Sequence, residues 1–163
     1  MNSNLLQVFQ EKIHLFFKSK RINHALISDS ALNTVKILKE NNYDAFIVGG
    51  AIRDILMGYK PKDFDIATNA TPEQVRLIFK KSRIIGRRFR LVHVIYGREI
   101  IEVSTFRAKP LQKIQMSNGV LKDNEYGSIE EDAERRDFTI NALYYDVENK
   151  NLIDFYGGLR DIK

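Results

Sequence analysis

Apolar residues recur along this chain at helical spacings in some segments and in short continuous or alternating runs in others. Near the start, Leu5, Phe9, Ile13 and Phe17 follow one another at intervals of four, which predicts an amphipathic helix within an N-terminal extension over residues 1–24. We interpret this segment as a packing helix, and a helix lying on a membrane surface is the alternative because basic residues follow it.

Four further helices are indicated by capping residues and apolar periodicity. They are a helix from Ser28 or Ser30 to about Asn42, a helix in "AIRDILM" that stops at Gly58, a helix in "NATPEQVRLIFKK" with Thr71 as N-cap and Pro72 at its first position, and a helix in "SIEEDAERR" capped by Ser128. Acidic residues in the first turns of the last two support these starts.

The strand predictions come from β-branched and aromatic runs between turn residues. "DAFIV" and "DFDIAT" are predicted single strands, "RIIGRRFRLVHVIY" and "EIIEVSTFRA" an antiparallel hairpin joined at Gly97 and Arg98, and "ALYYDV" and "NLIDFY" a last hairpin. Residues 107–127 lack periodicity and are predicted to be a mobile loop. The sum is an α+β fold, a small mixed sheet flanked by helices, forming one head domain over residues 25–163.

Composition limits the classes of protein to which the chain can belong, but it does not decide the function. The chain has 163 residues, no cysteine and a formal net charge of +5, so it has room for a proper core, no disulfide framework, and a charge that permits phosphate-rich partners. No stretch approaches 18 apolar residues, so no membrane span is predicted, and the start does not read as a signal peptide. We expect a cytoplasmic protein.

Two aspartates in "KDFDIAT" are the first chemical candidates. Asp63 and Asp65 are two positions apart on a predicted strand and therefore share a face, with Phe64 and Ile66 turned into the core. Two such carboxylates suit Mg²⁺, and a pair of ions can hold the attacking and leaving oxygens of a phosphoryl transfer. The pair alone is unspecific and is also typical of a solvated strand edge. Glu102, which interrupts the apolar run "IIEV", is either an outward polar position or a third acidic ligand.

A glycine turn precedes the aspartates. Gly49 and Gly50 lead into a predicted helix, so backbone N–H groups there can receive an anion, and Arg53 in the first turn can fork onto phosphate oxygens. A plain strand-to-helix turn with a solvated arginine is the alternative. The turn lacks the residues of a Walker P-loop and the spacing of a dinucleotide fingerprint. Together, the turn would hold a triphosphate and the aspartates its metal ions.

Five segments in order, "VGGAIRD", "KPKDFDIAT", "GRRFRLVHV", "IIEVSTFR" and "EEDAERRDFTINAL", resemble one family. It is the head region of the nucleotidyltransferases that extend RNA 3′ ends without a template strand, the bacterial poly(A) polymerases and tRNA CCA-adding enzymes. The resemblance runs from about residue 25 to the C-terminus. It implies a polymerase-β-like palm and nucleotidyl transfer that depends on two Mg²⁺ ions.

The resemblance also implies roles for individual residues. Asp63 and Asp65 match the metal-binding pair, and Gly50 and Arg53 match the triphosphate-binding turn with Gly49 beside them. Within "RRDFTINAL", the matching residues are a nucleotide-contacting arginine, Arg136, an acidic residue counted with the active site, Asp137, and a further nucleotide-site residue, Asn141. Arg135 is the alternative contact, because sequence does not decide which neighbour faces the site.

The segment "IIGRRFRLVHV" resembles the poly(A) polymerase form rather than the CCA-adding form. We predict that Arg87, Arg88 and Arg90 bind the RNA backbone, with Arg88 and Arg90 on one face of a strand. A solvated arginine face is the alternative. In the family, base-selecting residues and RNA-binding helices follow the head, so the resemblance implies the catalytic head of a longer enzyme.

The function predicted from these residues is transfer of AMP from ATP to the 3′ end of RNA, with two Mg²⁺ ions as cofactors. Two alternatives stay open, a tRNA CCA-adding enzyme and a non-catalytic RNA-binding fragment. The choice between ATP and CTP, the RNA preference and the oligomeric state are not decided by the sequence.

Overall fold

The computed structural model describes residues 22–87, 89–108 and 126–162, and the backbone of three short strands at residues 16–18, 116–117 and 120–121. Within these residues the helices are α1 (Asp29–Glu40), α2 (Gly50–Leu56), α3 (Pro72–Ile78), α4 (Ile129–Glu134) and α5 (Gly158–Asp161), with 3₁₀ turns at His24–Leu26 and Thr139–Asn141. The strands are β1 (Phe16–Lys18), β2 (Ala45–Val48), β3 (Phe64–Thr68), β4 (Ser82–Ile85), β5 (Leu91–Tyr96), β6 (Glu99–Thr105), β7 (Met116–Ser117), β8 (Val120–Leu121), β9 (Leu143–Asp146) and β10 (Asn151–Asp154).

The predicted helix starts are confirmed by their caps. The Ser28 side chain accepts a hydrogen bond from the Ala31 N–H at the start of α1. Thr71 begins α3 and Ser128 begins α4, each with a reciprocal capping box closed by the residue three positions on. These caps satisfy N–H groups that the first helical turn leaves unpaired.

In the part of the chain that the structure describes, eight strands form one sheet in the order β1-β10-β9-β2-β3-β6-β5-β4, and β7 pairs with β8 separately. Both predicted hairpins are confirmed, because β5 pairs with β6 and β9 with β10 in antiparallel register. The pairing of β3 with β6 is parallel. This parallel pair lies in the middle of the sheet and brings together two strands that are distant in sequence.

The two faces of the sheet have different coverings. On one face, residues such as Ile66 and Val103 pack with α1, α2 and α3 in the larger core. On the other face, a smaller core that includes Ala67 and Tyr144 packs against α4. Alternation along β3 therefore sends Phe64 and Ile66 into the larger core and leaves Asp65 on the face of α4.

Three sequence predictions need correction or fall outside the described residues. Residues 16–18 pair with β10 as a strand, where the N-terminal helix was predicted, and residues 1–15 and 19–21 lie outside the described residues. Of the predicted loop 107–127, the stem is described through the bridge between Arg107 and Tyr126. Most of the remainder also lies outside the described residues.

The long predicted strand "RIIGRRFRLVHVIY" is wrong as one element, because it forms two antiparallel strands, β4 and β5, and Gly86, Arg87, Phe89 and Arg90 between them are outside both strands. Gly86 has φ +90°, and a Cβ there would lie 2.1 Å from the Phe89 carbonyl oxygen. Only glycine fits this turn. No helix in the described part of the chain is long and apolar enough to cross a bilayer.

Candidate active site

Acidic residues on two neighbouring strands face each other across the parallel pair. Asp65 on β3 lies directly opposite Glu102 on β6. The flanking residues Phe64, Ile66 and Val103 are buried on the other face, so alternation places both carboxylates on the same side of the sheet. The interpretation of Glu102 as an acidic neighbour of the aspartate pair is consistent with this register.

Asp63 and Asp65 share a cleft with the glycine turn. The cleft has a volume of 540 Å³ and lies between the start of α2 and the start of β3. Its lining residues are Gly50, Ala51, Arg53, Asp54, Tyr59, Lys60, Lys62, Asp63 and Asp65. Three cationic and three anionic side chains therefore surround one space, which suits a ligand that carries both phosphate charge and bound cations.

The glycine turn approaches Asp65 closely. Gly49 has φ +78°, in the left-handed region that favours glycine, and it caps α2. A Cβ on Gly49 would lie 3.7 Å from the Asp65 Oδ2 atom and 3.7 Å from an Nη atom of Arg136. The turn thus leaves its backbone next to the acidic side chain without a side chain between them.

Arg53 is held in place by two neighbours. Its Nε and Nη2 atoms donate to the same Asp54 carboxylate oxygen at 3.0 and 2.8 Å, and its Nη1 atom donates to the Asn141 side-chain oxygen at 2.9 Å. The structure therefore places Asn141 against Arg53. Its predicted direct role in nucleotide binding stays a prediction.

Asp65 is the carboxyl group of this site whose pKa departs most from its ordinary value. Partial burial in the site, and then the charge of Glu102, raise the pKa of Asp65 to about 6, while Arg136 opposes the rise and Asp63 adds to it. The residue keeps an exposed surface, so water still reaches the carboxyl group. A bound cation would offset both the burial and the repulsion that raise this pKa.

Each of the three guanidinium nitrogens of Arg136 donates a hydrogen bond to the protein. Its Nε donates to the Tyr144 hydroxyl at 2.9 Å, its Nη2 to Asp132 at 3.1 Å, and its Nη1 to the Asn141 carbonyl oxygen at 3.3 Å. Tyr144 in turn donates to Asp132 at 2.7 Å. Burial alone would lower the pKa of Arg136, but Tyr144 and Asp132 raise it. Arg136 is thus a fixed, partly buried cation beside Asp65.

Arg135, the alternative contact, has an unpaired donor. Its Nη1 atom is buried and makes no hydrogen bond to the described residues. A second cleft of 230 Å³ is lined by Asp65, Leu91, Glu102, Ser104, Arg107, Asp132, Arg135 and Arg136. Asp65 lines both clefts and lies between them, and buried unpaired donors of this kind call for a partner.

The carboxylates of Asp63 and Asp65 fit a cation whose coordination shell is completed by a bound ligand as well as by the protein. Among the residues that the structure describes, no group of three or more His, Cys, Asp or Glu side chains converges on a metal position. Glu102 lies 3.4 Å from the His93 Nε2 atom, and its predicted role as a third metal ligand stays a prediction. Two carboxylates with room for phosphate beside them still match what Mg²⁺ needs.

Several predicted site residues are not brought into either cleft. The side chain of Asp137 is exposed and lines neither one. Arg87 is exposed in the turn between β4 and β5, and Arg88 lies outside the described residues. Arg90 forms an ion pair with Glu73 at the start of α3, so its guanidinium is engaged within the protein. Arg90 lies just before β5 and not on a strand, so the predicted strand face does not include it.

Sequence reasoning missed four residues of the site. Lys60 and Lys62 line the larger cleft, and both stand in the quoted segment "KPKDFDIAT", so the signal was present. Asp132 and Tyr144 hold Arg136. The spacing of four residues between Asp132 and Arg136 was a readable signal, whereas Tyr144 lies on a different element and left none.

The comparisons with known proteins agree with this geometry. The profile of the Poly A polymerase head domain family matches residues 45–163. The chain belongs to this family. Its relatives include Poly(A) polymerase I of Escherichia coli O157:H7, 51% identical over 88% of this chain and 33% of the relative, and Poly(A) polymerase I of Haemophilus influenzae, 53% identical over 83% and 32%. A CCA-adding enzyme of Bacillus licheniformis is 41% identical over 82% and 33%.

Solved structures of CCA-adding enzymes share the fold of this Poly A polymerase head domain. The Bacillus stearothermophilus CCA-adding enzyme in complex with CTP has a TM-score of 0.67 and 39% identity, covering 81% of this chain and 30% of that one. An apo form of a CCA-adding enzyme has a TM-score of 0.73 and 28% identity, covering 91% and 37%. The predicted α+β, polymerase-β-like nucleotidyltransferase fold is confirmed. The chain spans about one third of the length of the curated relatives that it matches.

Proposed function

We propose that this chain is the nucleotidyl-transferring head of an enzyme that adds AMP from ATP to RNA 3′ ends without a template. The observation that carries the proposal is the 540 Å³ cleft in which Asp63 and Asp65 face the Gly50–Arg53 turn. Acidic and basic side chains line this one cleft together, which suits a ligand that carries both phosphates and bound cations. A cytoplasmic location goes with this proposal.

Asp63 and Asp65 are the residues that would hold two Mg²⁺ ions. The fit rests on oxygen donors two positions apart and on the raised pKa of Asp65, which comes first from burial and then from the charge of Glu102, both of which a bound cation would offset. Bound ions would supply charge neutralisation for the attacking hydroxyl and for the leaving pyrophosphate.

The protein's own cations would orient the triphosphate. Arg53, fixed by Asp54 and Asn141, presents a guanidinium that loses little freedom on binding, which is the property a positioning residue needs. Lys60 and Lys62 lie on the same cleft. We propose that these three cations contact the phosphates. The backbone at Gly49 and Gly50, which has no side chain in the way, lets the triphosphate come close to the main chain.

The second cleft would receive the nucleoside part of the substrate. Arg135 lines this cleft and carries a buried donor that makes no hydrogen bond to the described residues. We therefore assign the nucleotide contact to Arg135. Arg136 keeps Asp65 beside a fixed positive charge.

The choice of ATP over CTP is supported by sequence likeness. The Poly(A) polymerase I relatives are 48–53% identical, and the CCA-adding relatives are 37–41% identical. A CCA-adding activity is the second candidate, favoured by the likeness to a CTP-bound structure. An RNA-binding module without catalysis is disfavoured because both aspartates and the glycine turn meet at one cleft.

Primer extension tests the proposal. The chain, expressed in its complete reading frame, is given a short RNA with each nucleoside triphosphate in turn, and a tRNA lacking its CCA end with CTP. We expect ATP-dependent extension that requires Mg²⁺. Asp65→Ala should reduce the rate at least about a thousandfold, because the lost transition-state stabilisation is several kcal/mol.

The control is Glu40→Ala, which removes an exposed acid on α1, and its rate should be unchanged. Extension by Asp65→Ala at the wild-type rate would refute the assignment. Addition of CTP to the tRNA in preference to ATP would instead favour the second candidate.

A further inference from the structure

The direction of the triphosphate constrains the direction of the RNA. In a nucleotidyl transfer the attacking and leaving oxygens lie roughly in line on opposite sides of the reacting phosphorus. Our proposed function puts the triphosphate on the Arg53 side of Asp65. The RNA 3′-hydroxyl then approaches from the other side of Asp65, toward β6, β5 and β4, over His93 and not over Leu91 and Ser104, where the second cleft takes the nucleoside.

A single row of paired residues crosses those strands. Asp65 pairs with Glu102, Glu102 with His93, and His93 with Arg83 on the edge strand β4. Directly paired residues share one face of a sheet. The row therefore leads from the acidic centre to the sheet edge over three strand spacings, about 14 Å at about 4.8 Å each.

Burial agrees with this assignment of faces. The neighbours Val92, Val94 and Ser82 are buried on the core side, whereas Arg83 is exposed and His93 and Glu102 keep partial exposure. Arg83 thus stands at the open end of the row. It shares its face with the carboxylates.

The order of charges along the row matches the end of an RNA strand. The terminal 3′-hydroxyl carries no charge, so an acidic residue beside it is tolerated. The first phosphodiester lies farther from the end, where a cation is favourable. His93 lies between Glu102 and Arg83, with its Nε2 atom 3.4 Å from a Glu102 oxygen, and so separates that carboxylate from the incoming backbone.

We propose that Arg83 is an RNA-binding residue that contacts a phosphate of the single strand next to its 3′ end, on a path that follows the row over His93 and Glu102 to Asp65. This inference rests on the proposed function. It replaces the predicted contact by Arg90, which is paired with Glu73.

The test compares two substitutions that each remove one positive charge. Arg83→Ala removes it from the row, and Lys36→Ala removes it from α1, which packs on the opposite face of the sheet. In the complete reading frame, Arg83→Ala should raise the KM for a single-stranded RNA primer about tenfold. The kcat at saturating RNA and the KM for ATP should stay at the wild-type values.

Salt dependence gives a second readout that a structural defect would not move. The plot of log affinity for RNA against log salt concentration should be shallower by about 0.7 in Arg83→Ala, because one phosphate contact to a single strand is lost. Arg83→Lys should recover much of the affinity, and Lys36→Ala should match wild type in both readouts. Thermal unfolding of all variants checks that the fold is kept.

Three outcomes would overturn the inference. They are an unchanged RNA KM and salt slope in Arg83→Ala, an equal change in Lys36→Ala, and a change in the KM for ATP in place of that for RNA. Failure here is separable from failure of the proposed function. A wild-type protein that extends RNA while Arg83→Ala behaves normally refutes only the RNA path, whereas a wild-type protein that never extends RNA refutes the proposed function itself.

Discussion

At the scale of single residues, the ionised carboxylate of Asp65 lowers the stability of the folded chain. Its pKa of about 6 exceeds the ordinary value of 3.8, so between about pH 4 and pH 6 the folded chain binds a proton that the unfolded chain releases. By linkage, stability falls as the pH rises through that window, and the cost is fully present above pH 6.

Asp65→Asn should therefore stabilise the metal-free chain at neutral pH. In the presence of a chelator at pH 7.5 we expect a Tm higher by on the order of 2 °C, a small shift because the carboxylate keeps access to water. At pH 4 the difference should vanish, since wild-type Asp65 is then largely protonated. Thermal melts at the two pH values measure this, and an equal Tm difference at both would contradict the pKa assignment.

The grouping of candidate site residues was predictable where those residues lie close together in sequence. Asp63, Asp65, Gly50 and Arg53 lie within sixteen positions of one another, and the structure brings all four to one cleft. The roles of the two arginines in "RRDF" were not predictable. Which neighbour is locked depends on Tyr144, a partner that only the folded sheet brings close.

At the scale of elements, the caps explain why the helices begin where the sequence predicts. Thr71 accepts from the Gln74 N–H at 3.3 Å, and Gln74 returns a 2.8 Å bond to the Thr71 N–H. Glu73, in the first turn of the same helix, forms an ion pair with Arg90. The start of α3 thereby supports the turn between β4 and β5.

Thr71→Ala should cost about 1 kcal/mol of unfolding free energy, because the N-cap acceptor is lost. Thr71→Ser keeps the hydroxyl and should stay near wild type. Urea denaturation followed by circular dichroism measures both variants. If Thr71→Ala unfolded at the same urea concentration as Thr71→Ser, the cap would not be what fixes this helix start.

Strand prediction failed where a turn carried no standard signal. "GRRFR" contains one glycine and no proline or asparagine, so the β-branched residues around it read as one run. The positive φ of Gly86 breaks that run. The β5–β6 hairpin was predictable because Gly97 and Arg98 separate two such runs directly.

At the scale of the whole molecule, the strand order decides the site. The order β2-β3-β6-β5-β4 places Glu102 beside Asp65 although 37 positions separate them. Periodicity predicts which residues share a face, but not which strands become neighbours. The α+β class was therefore predictable from the sequence, and the resemblance to known families supplied the polymerase-β-like arrangement that the pattern alone did not.

The central claim is that one nucleotide occupies both clefts around Asp65, and a crystal structure of the chain with Mn²⁺ and a non-hydrolysable ATP analogue tests it most directly. We predict anomalous density for manganese at Asp63 and Asp65, phosphates against Arg53 and Gly50, and the nucleoside within reach of the Arg135 Nη1 atom. A nucleotide bound elsewhere, or manganese density away from both aspartates, would contradict the account.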